Sequence, residues 1–203
     1  MPALQAKAKT LYVSIEPEPS AERDPDIIRL EGNLHEFVQE AWPNIDPAPY
    51  QDGHHVKLIC RYLEPFGLGH IPALLINVPP RHCKSLIVSV IFQAWIWTKA
   101  PETAALFTSY AEALAHDHAR LFKKLITSDW YQERWPHVQI AFGHDKVSHY
   151  ENTRLGKRYS VAISSTMGKG GRFIGFDDPH NVLEAESDEV RDRDVRSTAG
   201  RAP

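Results

Sequence analysis

A Lys-Ser pair between two apolar runs constrains this chain of 203 residues more than any other feature. The run Ala73–Ile76 lies shortly before it, and the run Leu86–Phe92 follows it directly. Between the two runs lies the segment Asn77–Ser85, which ends in Lys84 and Ser85. This order predicts a strand, a loop and the start of a buried helix, which is the arrangement of a phosphate-binding loop.

The residue types at the end of this loop suit a triphosphate. The N-terminus of a helix presents unpaired N–H groups and a partial positive charge to an anion. Lys84 would add a charge for the β- and γ-phosphates, and the hydroxyl of Ser85 would ligate Mg²⁺. We therefore expect ATP and Mg²⁺ as ligands. The match to the usual pattern is partial, because Val78 and Cys83 occupy the two positions where that pattern has glycine.

Two adjacent carboxylates further along the chain complete the pattern of a nucleoside triphosphatase. The short run Arg172–Phe176 predicts a strand that ends in Asp177 and Asp178. In phosphoryl transfer to water, one carboxylate can hold the Mg²⁺ shell and a second residue can orient the attacking water. We assign the first role to Asp177 and the second to Asp178.

These blocks, in this order, resemble the large terminase subunit of tailed bacteriophages and prophages. The resemblance rests on the run Pro79–Ser85 and on the block Asp177–Asn181, followed by Glu184–Ser187. It extends from about Leu34 to about Asp194. It implies an α/β fold, a P-loop NTPase of the additional-strand class built as a three-layer sandwich. It also implies an enzyme, an ATP hydrolase that drives viral DNA into a procapsid.

The resemblance also assigns roles to residues. It implies a γ-phosphate sensor at Arg81, for which the alternative is a surface arginine. It places an adenine pocket at Tyr50 and Gln51, for which the alternative is a tyrosine that anchors the start of a helix. The expected nucleotide-binding residues are Pro80, Arg81, His82, Cys83, Lys84, Ser85, Tyr50 and Gln51, the expected catalytic residues are Asp178 and Arg81, and the expected metal ligands are Ser85 and Asp177.

The resemblance also predicts domains and partners. We expect a polar, proline-rich tail over 1–28, a partial ATPase domain over 29–196 and a disordered end over 197–203. The sheet is expected to be incomplete at the C-terminus, because the family's additional strand follows the Asp-Asp strand in sequence. The family's nuclease domain is expected to be absent, so that this chain would be a truncated form. The implied partners are double-stranded viral DNA, the portal protein and the small terminase subunit, with a homo-oligomeric ring in the full-length protein.

Composition bounds these expectations and leaves two rivals. The net charge of −3 gives no global signal for nucleic acid, so DNA contacts would be local. Two cysteines cannot form a disulfide framework, and no apolar run reaches 18 residues, so no membrane span is predicted. We expect the protein to lie in the host bacterial cytoplasm. The rivals are another P-loop DNA translocase or helicase, and a degenerate, non-catalytic nucleotide-binding remnant.

Hydrophobic periodicity predicts the remaining elements. Strands alternate with helices, which favours an α/β sheet with crossovers. The histidine pair His116 and His118 is expected to be solvated or in the core, because residues two apart on a helix do not share a face. The predicted elements are helices at Asp26–Trp42, Leu86–Trp97 and Glu112–Ile126, and strands at Ala104–Ser109, Val138–Phe142, Val147–Thr153 and Arg158–Ser164, the last two forming a hairpin around Leu155–Lys157.

Overall fold

The computed structural model describes residues 23–178, and these form an α/β structure with a five-stranded mixed sheet. Of the tail predicted over 1–28, residues 1–22 lie outside the described residues, as do the segment 179–196 and the end at 197–203, whereas residues 25–28 are helical. The helices are α1 (Pro25–Gly32), α2 (Leu34–Ala41), α3 (His54–Gly67), α4 (Phe92–Lys99), α5 (Glu112–Ile126) and α6 (Asp129–Arg134). The strands are β1 (Ala105–Ser109), β2 (Ile140–Lys146), β3 (His149–Asn152), β4 (Lys157–Ala162) and β5 (Phe173–Asp177).

The predicted helix over Asp26–Trp42 is two helices. Asn33 interrupts it with extended backbone, φ −139° and ψ 101°, and its side-chain oxygen accepts a hydrogen bond from the N–H of Glu36. Asparagine at such a position satisfies an orphan N–H of the next helix. The hydrophobic period continues across the break, which is why periodicity alone did not reveal it.

The predicted strand before the loop, Ala73–Ile76, is wrong. From residue 71 to residue 78 the chain has no regular secondary structure, and within the described residues it makes no backbone hydrogen bond. Leu75 is 93% exposed. An apolar run becomes a strand only when a neighbour pairs with it, and here a cavity of about 230 Å³ separates Leu74–Ile76 from β5.

The prediction of a buried helix directly after the loop is confirmed. A π-helical segment at Leu86–Ile91 leads directly into α4, and every residue of α4 except Lys99 is buried. A helix that is apolar all round is buried on several sides. The π-helical segment lies directly after the candidate phosphate loop, which fits the frequent occurrence of π-bulges at functional sites.

The sheet has the order β2-β3-β4-β1-β5. β1 is parallel to both β4 and β5, while β2, β3 and β4 form an antiparallel meander. The predicted strand ending in Asp177, the helix Glu112–Ile126 and the hairpin before Ser164 are therefore confirmed. β2 begins at Ile140 and continues to Lys146, beyond the predicted Val138–Phe142.

A buried arginine joins the sheet to helix α5 and to the π-helical segment. Arg158 of β4, fully buried, lies over the rings of Phe107 in β1 and Phe122 in α5. Its guanidinium donates to the carbonyl of Ser89 at 2.6 Å. Gly175 of β5 lies under the Phe107 ring, where a Cβ would come within 2.7 Å of a ring carbon. This close contact explains a glycine inside the strand.

A cluster of aromatic side chains joins α2 to α6. Phe37 lies 5.4 Å from both Trp130 and Trp135, centroid to centroid, and Trp135 lies 5.0 Å from Tyr131. Trp135 is 1% exposed and donates from its indole N–H to Glu31. We call these four residues the aromatic cluster.

None of the helices between residues 23 and 178 combines the length and apolar content needed to cross a membrane.

Candidate functional site

The loop Pro79–Ser85 is shaped by its own side chains and by unusual backbone angles. The ring N–H at Nδ1 of His82 lies 3.0 Å from the carbonyl oxygen of Pro79 and 2.9 Å from that of Pro80, and it donates to them. Arg81 and Cys83 have positive φ, 65° and 60°. Through these two contacts His82 stabilises the turn of the loop. Arg81 is exposed. Its role as a γ-phosphate sensor remains a prediction.

Cys83 stands in a conformation that favours glycine. The left-handed region crowds the Cβ of an L-residue, and glycine enters it without that penalty. Cys83 is also the residue where the phosphate-loop pattern has its second glycine. The backbone therefore keeps the glycine-like angle although the side chain has changed. Burial raises the pKa of the Cys83 thiol, so it stays protonated at neutral pH.

Lys84 is held between the two carboxylates of the predicted site. Its Nζ lies 3.1 Å from Oδ1 of Asp177 and 2.6 Å from Oδ1 of Asp178. The carboxylates come from the C-terminal end of β5, 94 residues from Lys84 in the case of Asp178. Burial alone would lower the pKa of Lys84, but the two carboxylates outweigh it and the pKa is raised. Lysine and both aspartates are therefore brought together as the sequence predicts.

Sequence reasoning missed the contact between His118 and Asp177. Nδ1 of His118, on α5, lies 3.6 Å from Oδ2 of Asp177. Burial lowers the pKa of His118, and the Asp177 carboxylate opposes that shift. The expectation of a core histidine is right about its burial, because His118 is 8% exposed. A signal was present, since His118 shares the helix face of the buried Ala115 and Phe122.

The residues that could hold Mg²⁺ are Ser85 and Asp177. Among residues 23–178 no group of three or more His, Cys, Asp or Glu side chains could hold a metal ion. Mg²⁺ does not require such a group, since it keeps several waters and is bound by one or two protein oxygens together with substrate phosphates. Oδ2 of Asp177 is buried and has no hydrogen-bond partner within the described residues. A hydroxyl and a carboxylate beside a phosphate loop fit a hard cation.

A cavity of about 440 Å³ opens over the loop. Such a volume lies in the range of small-molecule sites. Trp42 and Asp46, which the sequence did not single out, form part of its wall. Both belong to the turn after α2, which no local motif links to the loop. The lining residues are Trp42, Asp46, Val78–Leu86 and Asp178.

Tyr50 and Gln51, the expected adenine pocket, do not line this cavity. Gln51 is exposed, and Tyr50 is half-buried with its ring 5.6 Å from that of Trp42. The hydroxyl of Tyr50 donates to Oδ1 of Asp52 at 3.1 Å, and burial, together with that carboxylate, raises its pKa. Tyr50 therefore meets the wall of the cavity at Trp42, and its contact with a base remains a prediction.

The phosphate-loop residues and the two aspartates thus form one site, with Tyr50 and Gln51 beside it. Comparison of the chain with protein-family models gives no match, and comparison with curated proteins gives none.

Proposed function

We propose that this chain binds Mg·ATP at the Lys84 loop and hydrolyses it, as the ATPase part of a terminase-type DNA-packaging motor. The observation that carries the proposal is the position of Lys84 between Asp177 and Asp178. A loop lysine and a strand-end carboxylate pair, distant in sequence, meet at one point. P-loop NTPases use a lysine for the phosphates and a strand-end carboxylate for Mg²⁺, and both must lie beside the same nucleotide.

The bridged lysine also suggests how the site accepts a nucleotide. Without a ligand, the positive charge of Lys84 is balanced by the two carboxylates. Entry of a triphosphate would offer Lys84 a new anion and leave the carboxylates free to face the cavity. Ser85 and Asp177 would then hold Mg²⁺, which supplies charge stabilisation to the phosphates. Asp178, 60% exposed at its side chain, would orient and polarise the attacking water.

Several neighbouring residues would complete the binding site. His82 would hold the loop in shape through its bonds to Pro79 and Pro80. Arg81, exposed in the loop, would sense the γ-phosphate. The additional-strand P-loop fold, the packaging of viral DNA and the assembly with portal and small subunit belong to this proposal through the resemblance alone.

Nucleotide binding by Lys84→Ala tests the first step. We expect the wild-type chain to bind a fluorescent ATP analogue with Mg²⁺, and Lys84→Ala to lose at least about tenfold in affinity, because the charge facing the phosphates is gone. Lys124→Ala, which removes an exposed lysine from α5, is the matched control and should bind like wild type. Equal affinity of wild type and Lys84→Ala would refute the phosphate-loop assignment.

Turnover separates the proposal from its main rival. A non-catalytic nucleotide-binding protein is favoured by Cys83, whose side chain stands where the loop backbone approaches phosphate. It predicts binding without release of phosphate. The ATPase proposal predicts turnover that Asp178→Asn abolishes while binding persists, and that double-stranded DNA stimulates. Binding with no phosphate release, with or without DNA, would favour the rival.

A further inference from the structure

The two oxygens of the Asp177 carboxylate face different partners. Oδ1 lies 3.1 Å from Nζ of Lys84, and Oδ2 lies 3.6 Å from Nδ1 of His118. The Asp177 side chain is 7% exposed. Within residues 23–178, Oδ2 has no hydrogen-bond partner. A buried carboxylate oxygen that lacks a hydrogen-bond partner costs free energy. A nearby donor therefore favours the orientation of the carboxylate in which that oxygen is paired.

His118 carries a donor within reach of that oxygen. Its side chain is 10% exposed and projects from the face of α5 that also carries the buried Ala115, Ala119 and Phe122. A ring confined in this way has few alternative positions. The gap of 3.6 Å exceeds a hydrogen bond by only a few tenths of an ångström, so a small rotation of either side chain closes it.

We propose that His118 is a positioning residue, which holds Oδ2 of Asp177 in place when Lys84 leaves the carboxylates. The proposal rests on the proposed function, because it supposes that Lys84 moves to phosphate. Once Lys84 has moved, Oδ1 of Asp177, which lies 3.1 Å from Nζ of Lys84 before the move, is the oxygen left without a partner on the loop side. His118 then keeps the carboxylate from turning away, with Nδ1–H donating to Oδ2.

The alternative is that His118 only fills space in the core. Two substitutions separate these roles. His118→Asn keeps an N–H donor close to the position of Nδ1, whereas His118→Leu keeps an apolar volume and removes the donor. A space-filling role predicts that leucine is tolerated at least as well as asparagine, since the surroundings on α5 are apolar. A positioning role predicts the opposite order.

The first experiment measures the His118–Asp177 contact without any nucleotide. Urea unfolding is compared for wild type, His118→Leu, Asp177→Asn and the double variant, in the full chain. Residues that contact each other give non-additive effects. We expect the double variant to be destabilised by less than the sum of the single variants. Strict additivity would overturn the contact on which the proposal depends.

The second experiment measures positioning. The Mg²⁺ concentration that gives half-maximal binding of a fluorescent ATP analogue is determined for each variant. We expect His118→Leu to raise it at least about fivefold, with the affinity at saturating Mg²⁺ within about threefold of wild type, and His118→Asn to restore most of the loss. Equal Mg²⁺ requirements for His118→Leu, His118→Asn and the wild-type chain would overturn the positioning role.

The two proposals fail in different ways. If Lys84→Ala binds nucleotide as well as wild type, the phosphate-loop function fails, and the positioning role fails with it. If Lys84→Ala loses binding while His118→Leu keeps the wild-type Mg²⁺ requirement, only the role of His118 fails. A raised Mg²⁺ requirement in His118→Leu together with rescue by His118→Asn supports both.

Discussion

The aromatic cluster and the loop face of this molecule are built in opposite ways. The aromatic cluster, Phe37, Trp130, Tyr131 and Trp135, packs rings against rings with centroids 5.0–6.5 Å apart. The loop face, which we define as residues 73–85 and 173–178, has cavities on it and side chains such as Leu75 in solvent. Nearly all the groups proposed for chemistry lie on the loop face.

The difference separates what stabilises the chain from what it uses. Large aromatic side chains dominate the energetics of a core, and pairs of rings add to their buried area. Binding elements, by contrast, are drawn from the less stable parts of a fold, because they must exchange contacts when a ligand enters. Lys84 illustrates this, since its carboxylate partners are groups that a phosphate could replace.

The largest expected effect is on the aromatic cluster. Trp135→Ala should lower the free energy of unfolding by about 3–5 kcal/mol, because it removes a fully buried ring and leaves a cavity. Urea unfolding followed by circular dichroism measures it. A loss below about 1 kcal/mol would show that the aromatic cluster contributes little to the stability of the fold.

The next largest effect is the protection of the Cys83 thiol from alkylation by bound nucleotide. Saturating Mg·ATP at ten times its dissociation constant should slow alkylation of Cys83 about tenfold, because the loop is then covered. Labelling is measured by mass spectrometry. Cys60, 1% exposed and with a pKa that burial raises to about 12, is the internal control and should label poorly with or without nucleotide. Unchanged labelling of Cys83 would place the nucleotide elsewhere.

A smaller gain is expected from Cys83→Gly. Glycine enters the left-handed region, φ 60° at this position, without the penalty of a Cβ, and this outweighs its extra entropy in the unfolded chain. We expect a gain of about 1 kcal/mol in stability or the corresponding few-fold gain in nucleotide affinity. Thermal unfolding and analogue binding measure the two. Cys83→Ala, which keeps the Cβ, should give neither gain.

The smallest effect is expected at Leu75. Because Leu75 is 93% exposed, Leu75→Ala should change the free energy of unfolding by less than about 0.5 kcal/mol. The same urea titration that measures Trp135→Ala gives this value. A loss of 2 kcal/mol or more would show that Leu75 is covered in solution and would remove the contrast between the two regions.

Local patterns predicted much of this fold. The helix Glu112–Ile126 was predicted at both ends, because its hydrophobic period and its flanking residues are local properties. The strand that ends in Asp177, the buried helix after Ser85 and the hairpin from β3 to β4 followed in the same way. The loop residues and the two aspartates were also identified from motif and spacing alone.

Tertiary structure decided the rest. The run Ala73–Ile76 has the composition of a strand, yet it pairs with nothing in the described residues, because pairing depends on a neighbour that composition does not specify. The break at Asn33 was decided by a side-chain cap rather than by hydrophobic pattern. His118 reached Asp177 only because α5 packs on β1, the neighbour of β5 in the sheet. Sequence sets local conformation and chemistry, whereas contacts between distant residues depend on how the elements pack.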